Sequence, residues 1–180
     1  MRNDYKYLDY DYKYTDSKTG ILRNLANISN IDDLTFFESV AVTKRTNELV
    51  SNPIKIKNSQ SLLDIHKYLF QDVYDWAGKK RTVEISKGAN PFLPTSRFDT
   101  GFSYVDNLIE EYRQINISNK EQIAHKLAEI LDAVNYLHPF REGNGRTQRE
   151  FIRLLALEKN INLNLNPPDN DEIYQKYMTG

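Results

Sequence analysis

Apolar residues recur at helical spacing along most of the chain. Leu34, Phe37, Val40, Ala41 and Val42 predict a helix from Asp32 to Leu49, with Asp32 as its N-cap and Pro53 beyond its end. Leu62, Ile65, Leu69, Val73 and Trp76 predict a second from Ser59 to Trp76, capped by Ser59 and stopped at Gly78. The period then shortens to two. Thr82-Val83-Glu84-Ile85-Ser86 alternates like a strand, Gly88-Ala89-Asn90-Pro91 is turn chemistry, and Phe92-Leu93 reads as the return of a short hairpin. Ser96 opens a third helix with the stripe Phe98, Phe102, Val105, Leu108, Ile109 and Tyr112. Ser118-Asn119-Lys120-Glu121 matches a capping box for a fourth, which carries Ile123, Leu127, Ile130, Leu131, Val134 and Leu137. Pro139 keeps His138 out of helical geometry, so that helix should end near Leu137. A fifth runs from about Gly145 to Lys159 with Phe151, Ile152, Leu155 and Leu157, and a short last helix is expected after Asp169, beyond Pro167-Pro168. The expected fold is mainly α with one β-hairpin.

Ahead of these elements, Tyr5, Tyr7, Tyr10, Tyr12 and Tyr14 are interleaved with Lys and Asp. That spacing suits an extended strap packed across a surface, with an aromatic ladder for a ligand as the other reading. At 180 residues the chain fits one domain that buries a core without staples. Its 24 basic and 25 acidic side chains leave a formal charge of -1, which argues against a nucleic-acid coat or a polybasic membrane binder. It has no cysteine, so a disulfide framework, a zinc–thiolate cluster and a thiol nucleophile are all excluded. No run of 18 apolar residues offers a membrane span, and the polar start lacks the apolar core of a Sec signal. A cytoplasmic protein is expected, and export by a non-Sec route is compatible with the same features.

The informative stretch runs from His138 to Arg149, HPFREGNGRTQR, between two predicted helices. Gly143-Asn144-Gly145 feeds a helix start, where glycine lets the backbone approach a ligand and unpaired N–H groups attract an anion. The same triplet also makes an ordinary helix–helix turn. Arg146 and Arg149 stand at i and i+3 in the first helical turn, followed by Arg153. Cations there oppose the helix dipole, which a bound polyphosphate would offset, as would salt bridges to Glu142 or Glu150. His138 and Glu142 sit four residues apart around the turn. A histidine titrating near neutrality is a candidate general base, and one carboxylate with phosphate oxygens commonly holds Mg²⁺. His66 and His125 lack such company and read as structural. Together the features describe attack on a nucleotide phosphate. Neither a Walker loop nor a kinase signature is present.

Residues 138–149 fit the Fic signature His-Pro-Phe-x-(Asp/Glu)-Gly-Asn-Gly-Arg-x-x-Arg at every specified position. Ile65-His66, Asp72 to Gly78, Arg81-Thr82 and Ile85-Ser86-Lys87-Gly88 also resemble Fic proteins, and Tyr14-Thr15-Asp16 with Thr19-Gly20 resembles short bacterial Fic toxins. The resemblance spans roughly residues 14–160. It implies a single Fic domain over 1–180, with an N-terminal arm at 1–31, a flap hairpin at 82–95 and an active-site loop at 138–149. It further implies transfer of AMP from ATP to a protein hydroxyl with release of pyrophosphate. On that resemblance, His138 is the base and Glu142 binds Mg²⁺. The backbone of Gly143, Asn144 and Gly145 cradles phosphate with help from the Asn144 side chain. Arg146 and Arg149 contact the phosphate chain, and Phe140 packs beneath the loop. Lys87 and Gly88 lie on the flap, where a target segment would align by strand addition. Doc kinases carry lysine where this chain has Gly145, which favours adenylylation.

Many Fic proteins carry an inhibitory helix with the pattern (Ser/Thr)-x-x-x-Glu-(Gly/Asn). No Glu of this chain has Ser or Thr four positions before it. Inhibition in trans by a small antitoxin is therefore expected. The competing readings are a Fic-fold nucleotide-binding or interaction module without transferase activity, and a transferase that uses another phosphate donor.

Overall fold

The computed structural model describes residues 5–165. Its elements, in chain order, are β1 (Tyr5–Tyr7), α1 (Ile31–Ser51), α2 (Ser61–Phe70), β2 (Ile85–Lys87), β3 (Asn90–Pro91), a 3-10 turn at Thr95–Arg97, α3 (Phe98–Gln114), α4 (Lys120–Leu137) and α5 (Asn144–Leu157). The last helix expected after Asp169 falls outside the described residues.

Helix α5 is the centre of the molecule. It packs against α2 on one side and α4 on the other, with α1 outside α2 and α3 outside α4. Being covered on both sides, it buries polar Thr147, Gln148 and Glu150 along with Phe151, Ile152, Leu154, Leu155 and Ala156. The stripe expected for α3 is buried at all six positions. In α4 it is buried at five, with Leu131 half-buried. Helix α1 departs from expectation. Leu34, Val42 and Leu49 face the core, Phe37 and Ala41 are half-buried, and Val40 points to solvent because it lies off that stripe.

Helix starts differ from the predicted caps. Asn30 rather than Asp32 caps α1, its side chain accepting from the N–H groups of Asp32 and Asp33. Asn119 rather than Ser118 caps α4, accepting from Gln122 N–H. No side-chain bond caps α2, which starts after Gln60, and Ser59 N–H donates to Asp106 at 2.6 Å. Helix α2 ends at Phe70, and the stripe continues through turns that bury Val73 and Trp76.

The expected hairpin is β2 and β3 of a three-stranded antiparallel sheet in the order β1-β2-β3. Its strands are shorter and later than the alternation at 82–86 suggests. Thr82 N–H is held by the Tyr14 hydroxyl, and Arg81 N–H by Pro139 O, so the segment joins the ladder only at Ile85. Leu93 leaves it again to donate to Tyr136 O at the end of α4.

The tyrosine strap divides its rings. Tyr14 is buried edge-on against Trp76, Tyr10 and Tyr12 point outward, and Tyr5 and Tyr7 belong to β1. Among the described residues, no helix is long and apolar enough to cross a membrane.

Candidate active site

The loop between α4 and α5 lies at the N-terminus of the central helix, and four interactions fix its shape. His138 ends α4 in the left-handed region at φ 40°, its N–H still donating to Val134 O. Phe140 is buried and stacks on His66 at 3.8 Å between ring centroids. Gly78 N–H donates to His66 Nδ1, so Nε2 bears the proton and donates to Glu142 O at 3.0 Å. Asn144 clamps the loop from inside, its side chain accepting from Phe140 N–H and donating to Phe140 O. That amide is thus engaged on Phe140 at both ends, and its effect on the turn is through the backbone it holds.

Gly143 caps α5 at φ 81°, and a Cβ there would lie 2.3 Å from the Phe70 ring. Both the conformation and the space require glycine. The first helical bond runs from Thr147 N–H to Gly143 O. The N–H groups of Asn144, Gly145 and Arg146 therefore have no carbonyl within the helix, and they face the positive dipole end. This is an anion cradle by construction.

His138 is 6% exposed, its ring lying parallel to Phe92 at 3.7 Å. Its Nδ1 stands 3.2 Å from Asn135 O. A carbonyl only accepts, so Nδ1 carries the proton and Nε2 keeps its lone pair. Burial pushes the imidazole down to about 3, with Arg81 and Lys87 nearby acting in the same direction. Four residues on, the Glu142 carboxylate accepts from Gly143 N–H through Oε1, and Arg146 approaches the same oxygen at 3.6 Å. Arg146 also lies over the Phe70 ring and pairs with Glu38 of α1 at 2.6 Å. The Arg149 guanidinium folds back over Gly145, 3.3 Å from where a Cβ would stand. Of the two flap residues, Lys87 is exposed and Gly88 makes the turn at φ 60°.

Three residues that shape this site carry no motif signal. Arg81 is buried and distributes its guanidinium among the carbonyls of His138, Val83 and Leu93 and the carboxylate of Glu84, tying the flap to the loop. Glu38 holds Arg146 and accepts from the Tyr74 hydroxyl. His66 supports the backbone of Glu142. Arg81 and His66 fall in stretches that resemble the family outside the signature, which is the one hint the sequence offers for them. Glu38 looks like any helix-surface acid.

Residues 56–156 match the family model described as Fic/DOC family. The chain is 33% identical over 175 residues to protein adenylyltransferase VbhT of Bartonella schoenbuchensis, covering 97% of this chain and 36% of that protein. It is 34% identical over 140 residues to the probable protein adenylyltransferase y4lH of Sinorhizobium fredii, covering 77% and 71%. The first of these relatives is thus nearly three times as long as the region matched. The fold is similar to that of the BepC protein of Bartonella tribocorum, a VirB-translocated effector solved with bound AMPPNP. The TM-score is 0.74 at 19% identity, covering 86% of this chain and 81% of that one.

Proposed function

The chain belongs to the Fic/DOC family, and from that membership we propose that it transfers AMP from ATP to a hydroxyl of a target protein, releasing pyrophosphate. The observation that carries the reading is His138, a neutral histidine with its Nε2 lone pair unprotonated, set six residues before the first N–H of an anion cradle. The relatives named as protein adenylyltransferases and the AMPPNP held by BepC support the same donor and reaction. In this reading the whole of 1–180 is one Fic domain, with its arm at 1–31, its flap at 82–95 and its active-site loop at 138–149.

His138 Nε2 takes the proton as the target oxygen attacks the α-phosphorus in line with the leaving pyrophosphate. The N–H groups of Asn144, Gly145 and Arg146 neutralise phosphate charge, and Arg146 and Arg149 supply guanidinium forks to the rest of the chain. Phe140 and His66 hold the loop while this happens. Lys87 and Gly88 lie on the flap, where β1 already pairs with Lys87, so a target segment would meet the flap in place of β1. A Cβ at Gly145 would stand 3.3 Å from the Arg149 guanidinium, so a lysine there, as in Doc, would crowd that group.

The donor set fits one Mg²⁺ shared with the nucleotide. Among the described residues no cluster of three or more His, Asp or Glu forms a cage, while Glu142 offers one carboxylate whose two contacts both fall on Oε1. When bound, Mg²⁺ held by Glu142 would supply positive charge that offsets the charge of the nucleotide phosphates. With no inhibitory pattern in the chain, restraint by an antitoxin in trans completes the reading. The absence of cysteine and the need for ATP suit action in the cytoplasm.

The test is incubation of the purified chain with ATP, Mg²⁺ and a cell lysate, followed by mass spectrometry. A gain of one AMP on a lysate protein is expected, and its loss in His138→Ala while ATP still binds. A gain of phosphate instead would indicate a Doc-like reaction. Unchanged transfer by His138→Ala would remove the base from the mechanism.

A further inference from the structure

We propose that Tyr5 is an adenylylation site of the chain's own active centre, presented in cis by strand β1. The inference rests on the transferase reading above and adds the acceptor.

Strand β1 pairs with β2 in the register Tyr5↔Lys87, Lys6↔Ser86 and Tyr7↔Ile85. Leu8 N–H donates to Glu84 O, so the alternation of an antiparallel ladder makes Lys6 and Ser86 the next hydrogen-bonded pair. The side chains of Tyr5 and Tyr7 then share one face, and exposed Lys6 takes the other. That shared face covers the loop between α4 and α5. The Tyr5 ring lies 5.8 Å from the His138 imidazole and 6.0 Å from Phe92, within 26° and 12° of parallel. Tyr7 lies under the Arg141 guanidinium at 3.4 Å from its ring centroid.

A strand that pairs with β2 on this edge therefore delivers a side chain beside the base, and in this chain that side chain is a phenol. Tyr7 is the poorer acceptor. It is clamped by Arg141, and burial with the nearby Glu142 carboxylate pushes its hydroxyl up to about 12. In the proposed step the Tyr5 oxygen forms a bond to the α-phosphorus of ATP. The bond from that phosphorus to the oxygen bridging to the β-phosphate breaks, pyrophosphate leaves, and the phenolic proton passes to His138 Nε2. The product is an O-AMP tyrosine at position 5.

The experiment incubates the full chain with ATP and Mg²⁺, maps the modified peptide by mass spectrometry and repeats the time course over a dilution series, with a lysate sample in parallel. One AMP on Tyr5 is expected, with a rate constant independent of protein concentration and loss of the label in Tyr5→Phe and His138→Ala. Tyr5→Phe keeps the ring stack, so its loss of label is not a loss of packing. Lys6→Pro removes a ladder N–H while leaving Tyr5 in place, and its labelling should fall severalfold. AMP on lysate proteins with Tyr5 unmodified overturns the proposal and leaves the transferase reading standing. Label at another residue of the chain, or a rate that rises with protein concentration, overturns it as well. No AMP on any protein overturns both.

Discussion

Arg81 Nε donates to the main-chain carbonyl of His138 at 2.8 Å, from a guanidinium with no solvent exposure. The same group bonds Val83 O and Leu93 O, both at 2.6 Å, so one side chain sets the flap's two ends against the end of α4. Arg81→Met leaves three buried carbonyls without this donor. At about 1 kcal/mol each, a loss of about 3 kcal/mol is expected in urea unfolding. Arg81→Lys should recover only part of it, because an ammonium cannot span the fork.

Gly143→Ala is expected to destabilise by about 2–4 kcal/mol, combining left-handed strain with overpacking against Phe70. Adding Phe70→Leu should restore part of the loss, since it opens the space and leaves φ unchanged. Urea midpoints of the single and double variants check this.

Glu38→Ala releases Arg146 from its 2.6 Å partner and leaves Glu142, at 3.6 Å, as the carboxylate beside it. A guanidinium drawn onto Glu142 competes with Mg²⁺ there. Affinity for Mg-ATP, measured by calorimetry in a His138→Ala background, should fall severalfold, and raising Mg²⁺ should restore part of it. Unchanged affinity would remove Glu38 from the site's support.

Acid should weaken the fold before the carboxylates titrate. Burial pushes His66 and His138 each down to about 3 from 6.5. The unfolded chain binds protons as pH falls through 6.5, whereas the folded protein refuses them until about 3. Stability is therefore intact above 6.5 and declines toward 3, by ~1.4 kcal/mol per pH unit for each histidine. Unfolding by urea from about pH 8 to about pH 5 reads this slope, and His66→Gln should make it shallower.

Arg149→Ala should weaken ATP binding with little effect on stability, and equal affinity by titration would take it out of the nucleotide site. Its place over Gly145 also predicts that Gly145→Lys crowds the guanidinium and lowers affinity.

The helices were legible because each buries one stripe, and a stripe has a period. All six stripe residues of α3 are buried for that reason. Pro139 marked the end of α4 through a local clash, and α4 does end at Leu137. The residues from His138 to Arg149 form one continuous loop and helix start, so their proximity follows from their adjacency. Membership of the Fic family was readable from that run alone, and the family match over 56–156 bears it out.

Caps and strands are less legible, since they depend on competing partners. Ser59 is of a capping residue type, yet α2 starts after Gln60 with no side-chain cap bond, and Ser59 N–H ties the chain to Asp106, 47 residues away. The alternation at 82–86 is real, yet Tyr14 and Pro139 hold its first residues off the ladder.

The order of residues along the chain determined the helical stripes, the turn at Gly143 and the chemistry of the loop, because each depends on neighbours within a few positions. Only the tertiary structure decided that Arg81 ties the flap to His138, that Glu38 on α1 holds Arg146, and that Tyr5 lies beside the imidazole. Those contacts join residues 57, 108 and 133 positions apart, and what selects them is the burial of charge and ring faces in a shared interior, which leaves no period in the sequence.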